Sequence, residues 1–197
     1  MKVISDLLIT ALYTVFVQNL VLSTGLGMSE AIRVSTKPGT FGRFAVMISG
    51  FSVVTSILCS LIDSVPAVEQ STYAVRAAIY GTVLASVYLL TAIIMRFVFK
   101  ASTKLMGTLG IAALNTLVLA VPFINNSAAY SLADSIGSGI GAGAAFVLAA
   151  AMISKGARII EENADIPEVF KGTPAMFLYV AMLSLAFTGF SSTSLFA

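Results

Sequence analysis

Residues 7–29 read LLITALYTVFVQNLVLSTGLGMS, a stretch without a single charge that closes on Ser23, Thr24, Gly25 and Gly27. Crossing about 30 Å of hydrocarbon takes ~20 apolar residues in helical form. Leu7 to Leu22 makes a good helix, but the Ser-Thr-Gly-Leu-Gly tail favours an end or a break before the membrane need be fully crossed. Five further charge-free runs follow, at 44–62, 77–95, 105–133, 135–154 and 172–197. The sequence therefore predicts an all-α integral membrane protein with six transmembrane helices.

Composition agrees with that reading. Of 197 residues, 58% are hydrophobic and 10% charged, against roughly 25% charged in a soluble domain. Mean hydropathy is +0.98. Six crossings consume most of the chain and leave loops too short for a nucleotide, flavin or ferredoxin-like domain, so 1–197 is expected to be one membrane domain. One cysteine, Cys59, and no histidine exclude a CxxC pair, a Cys/His metal cage, a Ser-His-Asp triad and a haem-ligating imidazole. Neither catalytic residues nor a metal site are expected. Cys59, alone in an apolar run, reads as a small buried hydrophobe. Net charge is +2, with no basic stripe interleaved with aromatics, which excludes nucleic acid as a partner.

Nine of the eleven Lys and Arg residues fall after the first, third and fifth runs: Arg33, Lys37 and Arg43; Arg96, Lys100 and Lys104; Lys155, Arg158 and Lys171. Only Lys2 and Arg76 lie on the other side. The positive-inside rule then puts those three loops in the cytoplasm and both termini outside, in a prokaryotic cytoplasmic (inner) membrane. The polar pair Gln18–Asn19 and the single Lys before the first run argue against a cleavable signal peptide.

The second run, Phe44 to Leu61, and the third, Ala77 to Met95, read as plain spans without chemistry. The fourth echoes the first: it contains Gly110 and Asn115, and Pro122, Asn125 and Asn126 interrupt an apolar stretch longer than one span needs. Asn19-Leu20-Val21-Leu22 is similar to Asn115-Thr116-Leu117-Val118-Leu119. Three spans per half force the halves into opposite orientation, so the expectation is two inverted three-helix repeats, about 1–100 and 101–197, with the first and fourth helices discontinuous. Such breaks mark a midplane site in inverted-repeat folds, here Asn19, Ser23, Thr24, Gly25, Gly27 and Asn115, with Gly25 to Ser29 meeting Asn115 and Thr116. Asn19 and Asn115 could equally be helix-bonded polar residues without a ligand. In the fifth run, Gly137 with Gly141 and Gly139 with Gly143 are GxxxG spacings that offer a smooth face for helix packing, not a phosphate loop. With no charge expected inside any span, an ion here would meet carbonyls and the hydroxyls of Ser23, Thr24, Ser29 and Thr116, not a membrane carboxylate.

The last quarter carries a resemblance. Asp165-Ile166-Pro167, Phe170-Lys171-Gly172 and Met182 to Phe190 are similar, nearly residue by residue, to the small six-helix membrane subunits of the Rnf complexes and of the sodium-pumping NADH:quinone reductase, of the RnfA and NqrE type. Gln18 to Leu22, Leu26-Gly27 and Asn115 with Val118-Leu119 follow the same family. The resemblance implies an integral, non-catalytic subunit of a redox-driven, ion-translocating electron transport complex, partnered by a paralogous RnfE/NqrD-like membrane subunit, the other subunits and membrane lipid. It also implies that the family's cysteine ligands to an iron-sulfur centre, shared between the two paralogues, correspond to Ser29 and Thr116. A neutral hydroxyl replaces thiolate poorly on iron, so no cofactor is expected in this chain and its part is scaffold and gate. An inverted repeat with two broken helices serves a small-solute carrier or an assembly-only membrane protein equally well, and that alternative stands beside the redox reading.

Overall fold

A computed structural model describes residues 2–69 and 71–190. Every regular element among them is helical: α1 (Lys2–Phe16), α2 (Leu20–Thr24), α3 (Met28–Ser35), a 3-10 turn at Pro38–Thr40, α4 (Phe41–Asp63), α5 (Pro66–Glu69), α6 (Tyr73–Phe97), α7 (Thr103–Ala113), α8 (Thr116–Ser127), α9 (Leu132–Glu162) and α10 (Thr173–Phe190). Taking α1 with α2 and α7 with α8, five stretches are long and apolar enough to cross a membrane, and Thr173–Gly189 is a shorter apolar helix. The first and fourth spans are discontinuous, as the sequence leads one to expect: the first ends at the Gly25–Gly27 turn as expected but carries a further interruption upstream, and the fourth breaks at Asn115 and not at Pro122.

In the first span the further interruption lies at Val17–Gln18, ahead of Asn19. A continuous helix would bring the Asn19 N–H to the carbonyl of Val15; instead the Asn19 side-chain amide donates to that carbonyl at 3.0 Å. Its Oδ1 accepts from the N–H of Leu22 at 3.1 Å and caps α2. One side chain thus satisfies an acceptor of the helix behind it and a donor of the helix ahead. Ser23 and Thr24 are the last two residues of α2, where the span ends as expected, and return their hydroxyls to the carbonyls of Asn19 and Leu20. Gly25 and Gly27, both at φ 75°, then turn the chain into α3, a conformation that Cβ makes costly.

The fourth span breaks at Leu114–Asn115, where Asn115 Oδ1 caps α8 through the N–H of Leu117 at 2.9 Å. Pro122 and Asn125 do not interrupt it. Both lie within α8, because a proline deep in a membrane helix is tolerated where neighbouring helices cover the bond it removes.

α9 is the central pillar. It opens on a capping box between Ser131 and Asp134, and Asp134 also accepts from Thr10 of α1 at 2.8 Å. Its glycines face two ways, as the GxxxG spacings predict. A Cβ on Gly141 would meet the Ala11 carbonyl at 2.7 Å, and one on Gly137 would collide with the Leu7 carbonyl, so this pair receives α1. Gly139 and Gly143 receive α4, with the backbone of Val53 and the carbonyl of Ala45 as close neighbours. Without side chains in the way, backbones approach closely and gain dispersion contact where lipid offers no hydrophobic drive. Around this pillar Leu22, Ile48, Leu117, Val118, Val121 and Phe146 are fully buried. The outward faces of α1, α6 and α10 show Ile4, Leu8, Leu89, Leu90, Leu178 and Met182, as expected of surfaces covered by lipid or by another apolar chain.

Candidate functional site

The two breaks meet. The N–H of Gly27 donates to Thr116 Oγ1 at 3.0 Å. A Cβ on Gly27 would lie 2.8 Å from Asn115 Oδ1 and 3.2 Å from Leu117 Cβ, so only glycine admits this approach. Thr116 is the first residue of α8 and Gly27 caps α3, so the contact holds the start of one half-helix against the turn that ends the other. Asn19 and Asn115 are buried. Asn115 Nδ2 is buried and has no hydrogen-bond partner among the described residues. The last helix closes on the same place: Ser184 of α10 donates to the carbonyl of Leu22 in α2.

Of the residues expected at this site, Gly27, Asn115 and Thr116 come together. Asn19 acts within its own break. Ser23 and Thr24 spend their hydroxyl protons on α2, and Gly25 shapes the turn with nothing within 4 Å of where a Cβ would stand. Ser29 is exposed and lines a cavity of about 480 Å³ bounded by α3, α9 and α10.

The donors present do not fit an iron-sulfur centre. Ser29 and Thr116 offer neutral hydroxyls, and that of Thr116 already accepts the Gly27 N–H. Such centres are held by thiolates. Cys59 is buried on α4, in agreement with its reading as a core residue. No step through a cluster follows from these residues.

A second polar cluster escaped the sequence reading, which took the second and third spans as free of chemistry and every span as free of charge. α4 and α6 extend past their charge-free runs and carry Asp63 and Arg76 to facing positions, 3.9 Å apart, with side chains 16% and 18% exposed. Asp63 Oδ2 accepts from the hydroxyl of the fully buried Tyr80 and, at 3.0 Å, from Asn126 of α8. Arg76 Nη1 donates to Asn126 Oδ1 at 2.6 Å. The network therefore ties α4 and α6 to α8. Beside it lies a chamber of about 230 Å³ lined by Ser56, Asp63, Asn125 and Tyr130. Ser56 Oγ and both amide atoms of Asn125 are buried there without a hydrogen-bond partner among the described residues. The available signal was slight: an acid ending one run and an arginine opening the next across a short hairpin.

A polytopic helical membrane protein whose first and fourth spans are interrupted at helix-capping asparagines and touch is the class that fold and site define. The pattern of the Rnf-Nqr subunit membrane proteins matches residues 7–194, and the chain belongs to that family. Among its relatives are the A component of the ion-translocating oxidoreductase complex of Colwellia psychrerythraea, 32% identical over 95% of this chain and 97% of the relative, and the A component of the Na(+)-translocating ferredoxin:NAD(+) oxidoreductase complex of Acetobacterium woodii, 29% identical over 92% and 94%. The corresponding component of the proton-translocating ferredoxin:NAD(+) oxidoreductase complex of Clostridium ljungdahlii is 28% identical over 90% and 92%.

Proposed function

We propose that this chain is the RnfA-like membrane component of a redox-driven, ion-translocating oxidoreductase complex, and that it serves as scaffold and gate without ligating a cluster itself. The contact of Gly27 with Asn115 and Thr116 carries the reading. Two half-helices that end against each other form a joint whose parts can separate without unfolding either span, because each half is capped by its own asparagine. Family membership and relatives aligned over nearly their whole length support the assignment to such a complex.

In this reading the two halves, about 1–100 and 101–197, are inverted repeats and the joint lies near the bilayer centre. The membrane is a prokaryotic cytoplasmic (inner) membrane with both termini on its outer side, following the Lys and Arg bias. The natural partner is a paralogous RnfE/NqrD-like membrane subunit, which brings the iron ligands that Ser29 and Thr116 cannot replace. Electron passage through partner subunits then biases the joint, and ion movement follows its opening.

The test is biochemical. Membrane vesicles from the source cell, given an electron donor, should accumulate the coupling ion, and deletion of this chain should abolish that uptake while its return restores it. Undiminished uptake without the chain overturns the assignment. Iron content of the purified complex, compared between native chain and a Ser29→Ala/Thr116→Val variant, should be the same; loss of iron in the variant would overturn the ligand-free part.

A further inference from the structure

We propose that the basic cavity between α3, α4 and α7 is a site for the headgroup of an anionic phospholipid, which clamps together the two elements flanking the joint. The cavity holds about 290 Å³, and Arg33, Lys37 and Lys104 line it above an apolar floor of Val34, Phe44 and Ile111. Its charge is not cancelled from within. Glu30 pairs with Arg33 at 2.7 Å, whereas Lys37 and Lys104 have no carboxylate within salt-bridge distance among the described residues.

Two cations left over around one concavity ask for an anion, and basic pockets between membrane helices bind acidic headgroups. The surroundings say which kind. From Ile111 the exposed side of α7 leads on to its C-cap Leu114, 59% exposed, an apolar path away from the charges. A ligand anionic at one end and aliphatic along its length satisfies both surfaces; a soluble phosphate satisfies only the first. The three threonines of the lining turn their hydroxyl protons to backbone carbonyls one turn back, so the cations alone supply the recognition.

The position gives the site a consequence. Arg33 and Lys37 lie in and just after α3, which Gly27 caps, and Lys104 lies in α7, which ends before Asn115. A headgroup held between them links both sides of the Gly27–Thr116 contact from outside the helical core. Binding stands on the cavity's own chemistry and does not require the proposed translocation role.

The full chain in a neutral detergent is titrated with phosphatidylglycerol, phosphatidylcholine or sodium phosphate, bound lipid being counted by native mass spectrometry and unfolding followed by thermal shift. Phosphatidylglycerol should be retained at least about tenfold more strongly than phosphatidylcholine, and Lys37→Gln with Lys104→Gln should remove that preference. Both lysines are exposed, so the double variant should unfold at the native temperature when no lipid is added. The charge-matched pair Lys100→Gln and Lys155→Gln should keep the preference. Equal retention of the two lipids, a preference that survives in the first pair or vanishes in the second, or phosphate matching the lipid at equal concentration would each overturn the proposal.

Discussion

Gly27 and Thr116, 89 positions apart, are joined by a hydrogen bond from backbone N–H to side-chain hydroxyl at 3.0 Å, at the point where the two interrupted spans touch. Gly27 and Gly25 share φ 75°, yet their surroundings differ. Alanine at either position costs about 1–2 kcal/mol of left-handed strain. At Gly27 the new methyl also meets Asn115 Oδ1 at 2.8 Å, where overpacking adds roughly 1–3 kcal/mol. Gly27→Ala should therefore lower the thermal unfolding temperature of the purified protein clearly more than Gly25→Ala. Equal shifts would mean that the two spans do not press together at this place.

The hydroxyl is a separable part of the same contact. Thr116→Val keeps the shape and removes the acceptor, leaving the buried Gly27 N–H unsatisfied at a cost of about 1–3 kcal/mol. Thr116→Ser retains the acceptor and should stay within about 0.5 kcal/mol of the native protein, the range of a surface change. Denaturant titration of both variants in detergent decides; a serine variant as unstable as the valine variant would remove the hydrogen bond from the account.

Much of this architecture was legible beforehand. Charge-free runs bounded by Asp and Arg mark the spans because a charge within hydrocarbon is costly, and glycines four apart in the fifth run mark its packing faces. The likeness of Asn19–Leu22 to Asn115–Leu119 was also legible, although the sequence ran its first helix through Asn19 to Leu22. The turn at Gly25 and Gly27 was legible too, since glycine takes φ 75° readily; the interruption ahead of Asn19 and the continuity of the helix through Pro122 were not, because there asparagine side chains replace a lost backbone bond and neighbouring helices cover the proline. The Asp63–Arg76–Asn126 cluster left even less trace. Its members sit 13, 50 and 63 positions apart on three helices, separations that no helical period encodes.

That cluster should behave as one unit. Asp63→Ala removes the acceptor for Tyr80 and Asn126 and the carboxylate that faces Arg76, at an expected ~1–3 kcal/mol, since the buried Tyr80 hydroxyl and the Asn126 amide bear the desolvation penalty. Asp63 and Arg76 face each other and share Asn126, so Asp63→Ala/Arg76→Ala should lose less than the sum of the single losses. A double-mutant cycle on unfolding free energy gives the coupling directly; strict additivity would show that the two charges do not act on each other.

The packing of α9 admits the sharpest control. Replacing a helical glycine by alanine normally stabilises an exposed helix by up to ~1 kcal/mol, because less backbone entropy is lost on folding. Gly107 of α7 has nothing within 4 Å of a new Cβ, so Gly107→Ala should be neutral or stabilising. Gly139 and Gly141 are also helical, but a methyl there meets Val53 of α4 and Ala11 of α1, both at closest distances of 2.7 Å. Neither neighbour is the free end of a flexible side chain: on Val53 the backbone N lies at 2.8 Å, and on Ala11 the atom met is the carbonyl oxygen. Relief then requires the helices to part, and the packing loss of roughly 1–3 kcal/mol outweighs the propensity gain. Gly139→Ala and Gly141→Ala should lower the unfolding temperature while Gly107→Ala does not. If all three substitutions moved it in the same direction, propensity and not close helix approach would govern the position of α9.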